Sequence, residues 1–308
     1  MKKLTLLSVA LFAVLSTGCN QSEEYDFYID DSDAWHTFIE GDNFNSDGLG
    51  VYLRGAKSGK LKPVEFEVEN GENLTADQTS VTIKYGEYSA EYPITVKKEY
   101  HIACVGDSLT AGHMWAHESY PTFLGQTVDT KYKVGNFGVN GISITGYGGS
   151  FSSTAPNQRY IKQDVYTNCV NYEPDVFAIM LGTNDATEWS KAEPTFLSEY
   201  KILLDSFIEQ FPRAKFIMMV SPPVIDDNQF GIPNTPIKEN VNPIQRQLAE
   251  EYDFETLDLR EEFEATADYQ TKYLRDRDYS GVDHVHFTKE AAQYVAGRVW
   301  DIAKEFKL

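Results

Sequence analysis

The chain has 308 residues, of which 42% are hydrophobic and 24% are charged, so it can bury a sizeable core in one or two domains. Its 27 basic and 47 acidic side chains give a formal net charge of -20. A surface with this charge repels the phosphate backbone of nucleic acids and anionic lipid headgroups, which argues against nucleic acid as a partner. The charge does not identify a substrate, because an acidic surface also keeps a protein in solution.

The first residues predict export from the cytoplasm. Two lysines precede an apolar run over 4–15 and the small-residue sequence STGC over 16–19. This order is typical of a secretory signal, and the run is shorter than the roughly 20 apolar residues that a membrane span needs. The Gly-Cys ending resembles a bacterial lipobox, although Ser16 stands where leucine is usual. We therefore predict a lipoprotein signal peptide over 1–18 and lipidation of Cys19.

The predicted lipid anchor places the protein on the bacterial cell envelope, at the outer membrane or the cell surface. Its only expected contact with a membrane is through that anchor. Ordinary secretion, with a cysteine merely close to the cleavage point, is the alternative.

The next part of the chain predicts a tether followed by a β domain. Residues 19–34 are acidic and show no helical period, and we interpret them as a tether. The segment 35–98 alternates apolar and polar residues, as in VEFEV at 64–68, and is broken by turn sequences such as YGE at 85–87. This pattern indicates antiparallel strands in a small β-sandwich. The run VTIKYGEYSAEYPITV at 81–96 resembles the closing hairpin of bacterial immunoglobulin-like domains.

From Tyr100 onward, short apolar runs alternate with helical patterns, among them 196–211 and 289–306. Strands that alternate with helices over about 200 residues predict a parallel sheet covered on both faces. We assign this α/β domain to 99–308. The predicted strands are 101–105, 133–137, 176–181, 216–220 and 256–259.

Three of these predicted strands end in residues that could take part in catalysis. The first runs into GDSL at 106–109, which places the Ser108 hydroxyl just past a strand end. The second is followed by Gly138, whose backbone N–H could donate to an oxyanion, and the third by Asn184, whose amide could do the same. Each motif alone also fits an ordinary turn or helix cap.

A fourth candidate lies just before the last predicted helix. His286 could take a proton from a serine near neutral pH, and Asp283, three residues earlier, could reach its other ring nitrogen. The alternative is a metal site formed by His284 and His286, which share one face of an extended segment. The sequence shows no further histidine or cysteine cluster that would complete such a site, so we predict no metal.

In this order Ser108, Gly138, Asn184 and His286 resemble the four blocks of the SGNH (GDSL-like) hydrolases, over about residues 100–306. The resemblance implies a flavodoxin-like three-layer α/β/α fold and a serine esterase without metal or cofactor. It implies catalytic roles for Ser108, Asp283 and His286. The oxyanion hole would comprise the backbone N–H groups of Ser108 and Gly138 and the side chain of Asn184.

The four blocks do not identify the substrate, because lipases, thioesterases and deacetylases share them. The segment 225–240 resembles a polar insertion of sialate or glycan O-acetylesterases, and no apolar insertion separates the blocks. We therefore expect a small-molecule or glycan ester as the partner, with O-acetyl groups on carbohydrate preferred. A lysophospholipase or general short-chain acylesterase is the alternative. A catalytically inactive, glycan-binding surface lipoprotein is a second alternative.

Overall fold

The computed structural model describes residues 24–113, 116–148, 159–274 and 283–308. The predicted signal peptide and Cys19 lie outside these residues. The chain forms two compact units, one that ends at Lys98 and includes Lys307–Leu308, and one over Glu99–Phe306. Across the described ranges, no helix has both the length and the hydropathy that a membrane crossing requires.

The first unit is built from short strands around its own apolar core. The strands are β1 (Tyr25–Asp30), β2 (Thr37–Ile39), β3 (Gly50–Gly55), β4 (Leu61–Pro63), β5 (Glu67–Glu69), β6 (Ser80–Tyr85), β7 (Tyr88–Pro93) and β8 (Thr95–Lys97). β1, β3 and β4 form one antiparallel sheet, β5, β6 and β7 form another, and β2 pairs with β8 in parallel. Buried side chains of these strands, such as Val81 and Ile83, form a continuous core.

The structure corrects two expectations for this unit. Tyr25–Asp30, assigned to the tether, form β1 and pair with β3, because Phe27 and Ile29 pack against the core. The acidic neighbours of these two residues hid the alternation. The pairing of β2 with β8 is parallel, whereas the sequence predicted antiparallel strands throughout. The likeness to immunoglobulin-like domains stays a prediction.

The second unit contains the predicted parallel sheet. Its strands are β9 (Tyr100–Gly106), β10 (Tyr132–Gly138), β11 (Val176–Met180), β12 (Lys215–Val220) and β13 (Glu255–Asp258). Their order in the sheet is β10-β9-β11-β12-β13, and every neighbouring pair is parallel. This is the strand order of flavodoxin-like folds, so the predicted fold class is confirmed.

Helices cover both faces of the sheet. The helices are α1 (Ser108–Ala111), α2 (Tyr120–Thr127), α3 (Asp164–Asn171), α4 (Trp189–Gln210), α5 (Asn234–Pro236), α6 (Asn242–Tyr252), α7 (Leu259–Glu264), α8 (Tyr269–Tyr273) and α9 (Lys289–Ala303). Alternate residues of a strand point to opposite faces, and β9 illustrates this. Ala103 and Val105 belong to the core under α3, α4 and α6, whereas Cys104 on the other face contacts Tyr120 of α2. α9 packs on α2.

The chain changes face at β9, and this positions the site. The connection from β9 to β10 runs through α2 on one face, and the connection from β10 to β11 runs through α3 on the other. Connections that diverge in this way leave a crevice beyond the carboxyl ends of the strands, where α/β proteins bind ligands. The three predicted strand-end motifs follow β9, β10 and β11.

The close approach of α1 to β10 gives a first prediction. A Cβ atom at Gly138 would lie 2.2 Å from the backbone nitrogen of Ala111, so Gly138→Ala forces the helix and strand apart. We expect it to lower the free energy of unfolding by about 1–3 kcal/mol. Gly125→Ala, in α2, is the matched control, because its Cβ would meet Val134 at 3.8 Å, an ordinary contact.

Urea unfolding of both variants measures the difference. The control should be as stable as the original chain or gain up to about 1 kcal/mol from the better helix former. Equal stability of the two variants would contradict the close approach.

Candidate active site

Ser108 is presented by a sharp turn from strand to helix. β9 ends at Gly106, Asp107 caps α1, and Ser108 is the first residue of that helix. The Asp107 carboxylate accepts the Leu109 N–H at 2.9 Å, which fixes the turn. The Ser108 hydroxyl therefore lies beyond the carboxyl end of a central strand, as the sequence predicted.

Ser108, His286 and Asp283 form a continuous hydrogen-bonded chain. The Ser108 Oγ lies 2.9 Å from His286 Nε2, and His286 Nδ1 lies 2.9 and 3.0 Å from the two carboxylate oxygens of Asp283. With Nδ1 protonated towards the carboxylate, Nε2 is free to accept the serine proton. The structure brings the three predicted residues together, although 178 positions separate the serine from the histidine.

Asp283 and His286 sit in one short turn. Asp283 Oδ1 also accepts the backbone N–H groups of Val285 and His286, at 2.9 and 2.8 Å. Burial acts to raise the pKa of Asp283, but the hydrogen bond and charge of His286 and these backbone donors outweigh burial and hold the pKa below its usual value. Asp283 is thus an anion at neutral pH. Leu274 precedes this segment and Phe287 follows it, and these two residues form an isolated β-bridge.

Asn184 follows β11 and is almost completely buried. Its Nδ2 donates to the Ile142 carbonyl at 2.9 Å and lies 3.4 Å from an oxygen of Asp107. Burial raises the pKa of Asp107 to about 7, and the nearby charge of Asp185 adds to this increase, whereas the hydrogen bond from the Leu109 N–H opposes it. The amide is therefore held close to Ser108 by the same turn that presents the serine.

Gly138 lies at the end of β10, as the sequence predicted, but its N–H group already has a partner. Its N–H donates to Asn136 Oδ1 at 3.0 Å, and its Cα supports α1. The glycine beside Ser108 is Gly141, which has a φ of 72° and lines the same recess as Asn184. Gly138 is not among the residues that line this recess. The Gly-Val-Asn-Gly motif alone does not show which of its two glycines needs a positive φ.

Sequence reasoning also missed the apolar part of the site. His113 lies flat on His286, with ring centroids 4.2 Å apart and an angle of 4° between the planes. Phe230 is perpendicular to both rings, with centroids 4.9 Å from His286 and 5.6 Å from His113. The recess beside Ser108 is lined by Ser108, His113, Asn140, Gly141, Asn184, Phe230, Ile232 and His286.

The segment predicted as a polar insertion turns its polar groups inward. Asn228 Oδ1 accepts the N–H groups of Phe230 and Ile232, and its Nδ2 donates to two carbonyls of the same loop. This fixed loop presents Phe230 and Ile232 to the site. A second recess, which also includes Ser108 and His286, is lined by Leu109, Gly112, Glu118, Ser119, Phe287 and Ala292.

His284 and His286 have different partners. His284 Nδ1 lies 2.9 Å from the Asp227 carbonyl, whereas both nitrogens of His286 face Asp283 and Ser108. Among the residues that the structure describes, no three His, Cys, Asp or Glu side chains are grouped to hold a metal ion.

Comparison with known families agrees with this geometry. The sequence matches the GDSL-like Lipase/Acylhydrolase family over residues 104–294. The chain belongs to this family. Membership agrees with the family resemblance that the sequence motifs predicted, and the matched range contains Ser108, Asn184, Asp283 and His286.

Individual relatives are more distant. An acetylxylan esterase of Xylanibacter ruminicola is 24% identical over 235 residues, which are 68% of this chain and 44% of that protein. The chain thus spans less than half the length of this relative. The native aryl esterase of M. smegmatis has a TM-score of 0.51 at 16% identity, over 67% of this chain and 98% of that one. A carbohydrate acetylesterase family member from Sinorhizobium meliloti has a TM-score of 0.48 at 17% identity, over 67% and 97%.

A second prediction concerns the buried carboxylate beside Asn184. Asp185 accepts the N–H groups of Ile144 and Thr145 and the Thr145 hydroxyl, at 3.0, 2.9 and 2.6 Å. In Asp185→Asn the side-chain NH₂ group faces a donor where a carboxylate oxygen accepted before. We therefore expect the free energy of unfolding to fall by about 1–3 kcal/mol. Thr145→Val removes one of the three donors and should cost about 1 kcal/mol. Chemical denaturation compares them, and a milder effect of Asp185→Asn would contradict the assigned role.

Proposed function

We propose that this chain is a serine esterase that removes short acyl groups, foremost O-acetyl groups, from carbohydrates. The single observation that carries the chemistry is the 2.9 Å contact between Ser108 Oγ and His286 Nε2, continued by Asp283 on the other ring nitrogen. This arrangement makes a hydroxyl nucleophilic at neutral pH.

In the first half of the proposed reaction, His286 Nε2 takes the hydroxyl proton of Ser108 as Oγ bonds to the ester carbonyl carbon. The carbonyl π pair moves to oxygen, and the Asp283 carboxylate stabilises the imidazolium. The oxyanion would accept hydrogen bonds from the backbone N–H groups of Ser108 and Gly141 and from Asn184 Nδ2. The N–H of Ser108 has no partner within its own helix, because it belongs to the first turn.

The tetrahedral intermediate then collapses. The carbon–oxygen bond to the alcohol breaks, and His286 Nε2 gives its proton to the departing oxygen, which leaves an acyl group on Ser108. Water loses a proton to His286 and attacks the acyl carbon, and His286 returns that proton to Ser108 Oγ. The products are the free alcohol and a carboxylic acid, and each step uses only protein groups and water.

The recess beside the nucleophile supports a short acyl group. Phe230 and Ile232 stand against it on a loop held by Asn228, so a long acyl chain would have to displace them. The second recess offers Glu118, whose carboxylate oxygens can accept hydrogen bonds from hydroxyl groups of a sugar. The acetylxylan esterase among the relatives, although much longer than this chain, supports an acetylated carbohydrate as substrate.

We also propose export and anchoring of the protein to the cell envelope through lipid on Cys19. This rests on the basic start, the apolar run and the Gly-Cys ending of the first 19 residues.

Removing the nucleophile tests the mechanism. Ser108→Ala should lower kcat for 4-nitrophenyl acetate by about 10⁴-fold or more, because it removes the hydroxyl that forms the acyl-enzyme. Labelling by a fluorophosphonate probe should disappear with it. Thr110→Ser, a buried hydroxyl on the same helix, is the matched control and should leave labelling intact.

Two results would contradict this mechanism. One is continued labelling of Ser108→Ala at another serine. The other is loss of turnover on addition of EDTA with recovery on addition of zinc, which would assign His284 and His286 to a metal site.

Chain-length selectivity tests the substrate class. We expect kcat/KM to fall from acetyl through butyryl to octanoyl esters of 4-nitrophenol, because Phe230 and Ile232 limit the space beside Ser108. Phe230→Ala should flatten this dependence, since each methylene that gains an apolar contact is worth about 0.8 kcal/mol. Release of acetate from acetylated xylan should accompany the acetyl preference. An optimum at octanoyl in the original chain would indicate a lipid-acting enzyme instead.

A further inference from the structure

His286 is constrained along one line by its hydrogen bonds. Asp283 contacts Nδ1 and Ser108 contacts Nε2, so these two bonds fix the ring at its two nitrogens. They do not by themselves prevent the ring plane from tilting about the line through those nitrogens. Small coupled changes in χ1 and χ2 produce such a tilt, and because the χ2 torsion of histidine has a broad energy profile, rotamer preference resists it only weakly.

Contacts with the ring face supply the missing constraint. The His113 ring lies parallel to His286 within 4°, with centroids 4.2 Å apart, so the two ring faces are stacked in contact. Phe230 meets both rings at 88°. Any tilt of the His286 plane would open or compress the stack with His113. A parallel ring is thus placed where it resists the motion that the hydrogen bonds permit.

His113 is itself fixed to the nucleophile. Gly112 and His113 both donate their backbone N–H groups to the Ser108 carbonyl, at 3.0 and 3.1 Å, and so close helix α1. Both residues have positive φ, 84° and 46°. Histidine tolerates this left-handed conformation better than most residues. The ring that contacts the base is therefore attached within five residues to the serine from which that base takes a proton.

We propose that His113 is a positioning residue for His286, on the basis of the proposed esterase function. It holds the imidazole plane in line with Ser108 Oγ. Its ring face also lies next to the positive charge that develops on His286 during proton transfer, and an aromatic face attracts such a charge. Both effects need a flat ring at position 113 and neither needs a ring nitrogen.

Two substitutions in the full-length protein separate these requirements. His113→Asn removes the ring but keeps a residue that accepts left-handed φ, so backbone strain does not enter. We expect kcat for 4-nitrophenyl acetate to fall about 10- to 100-fold with KM within about twofold, because the proton transfer is misaligned while binding is retained. His113→Phe restores a flat ring without nitrogens. Because phenylalanine disfavours the positive φ of this position, Tm should fall, while kcat should return to within about threefold of the original value.

A spectroscopic measurement reports on the His286 hydrogen bond independently of turnover. In one-dimensional proton NMR, the low-field resonance of the His286 Nδ1 proton should broaden in His113→Asn and stay sharp in the original chain. Thermal unfolding of both variants accompanies the assay. The proposal is overturned if His113→Asn leaves kcat and this resonance unchanged, or if a folded His113→Phe loses as much kcat as His113→Asn. Failure of the esterase proposal itself is distinguishable, because the original chain would then neither turn over ester nor react with fluorophosphonate at Ser108.

Discussion

The in-register pairing of three parallel strands determines where the site forms. Gly106 of β9 pairs with Gly138 of β10 on one side and with Met180 of β11 on the other, so the three strands end at the same level. The turns after them therefore meet at one edge of the sheet, which places Ser108 and Asn184 side by side. A slip of one residue in either ladder would reverse the faces of a whole strand, and the buried residues on both faces prevent it.

Two buried carboxylates keep the turns at this edge in place, and they do so at a cost. Burial raises the pKa of Asp107 to about 7 and that of Asp185 to about 6, above the usual 3.8. Because the pKa is higher in the folded state than in the unfolded state, each group contributes most to folding below pH 3.8. This contribution is lost as the pH rises, through about 6 for Asp185 and about 7 for Asp107. At neutral pH the apolar packing on both faces of the sheet must offset this loss of folding free energy. In return, Asp107 caps α1 and Asp185 holds the backbone at 144–145.

The sequence predicted those parts of the fold and site that depend on local pattern. The five strands of the sheet lie within one or two residues of their predicted limits, because buried parallel strands are continuous apolar runs. Ser108, Asn184, Asp283 and His286 were found because each lies in a short motif at the end of an element. Gly138 was chosen over Gly141 because a motif does not tell which of two glycines needs a positive φ.

Other features depend on contacts between distant segments and could not be predicted in the same way. Phe230 lies in a segment rich in polar residues, and only the hydrogen bonds of Asn228 show that this loop turns it towards His286. His113 lies in no recognised motif, and its contact with His286 depends on the tertiary fold. β1 was missed because its apolar side chains alternate with acidic residues, whose charges dominated the composition.

The turn that holds Asp283 and His286 has a consequence for how the geometry of the site is encoded. Both members of the proton-accepting pair come from four consecutive residues, and their alignment depends on hydrogen bonds inside that turn. The relative position of these two groups is therefore encoded locally, within residues 283–286, whereas their position relative to Ser108 depends on the tertiary fold.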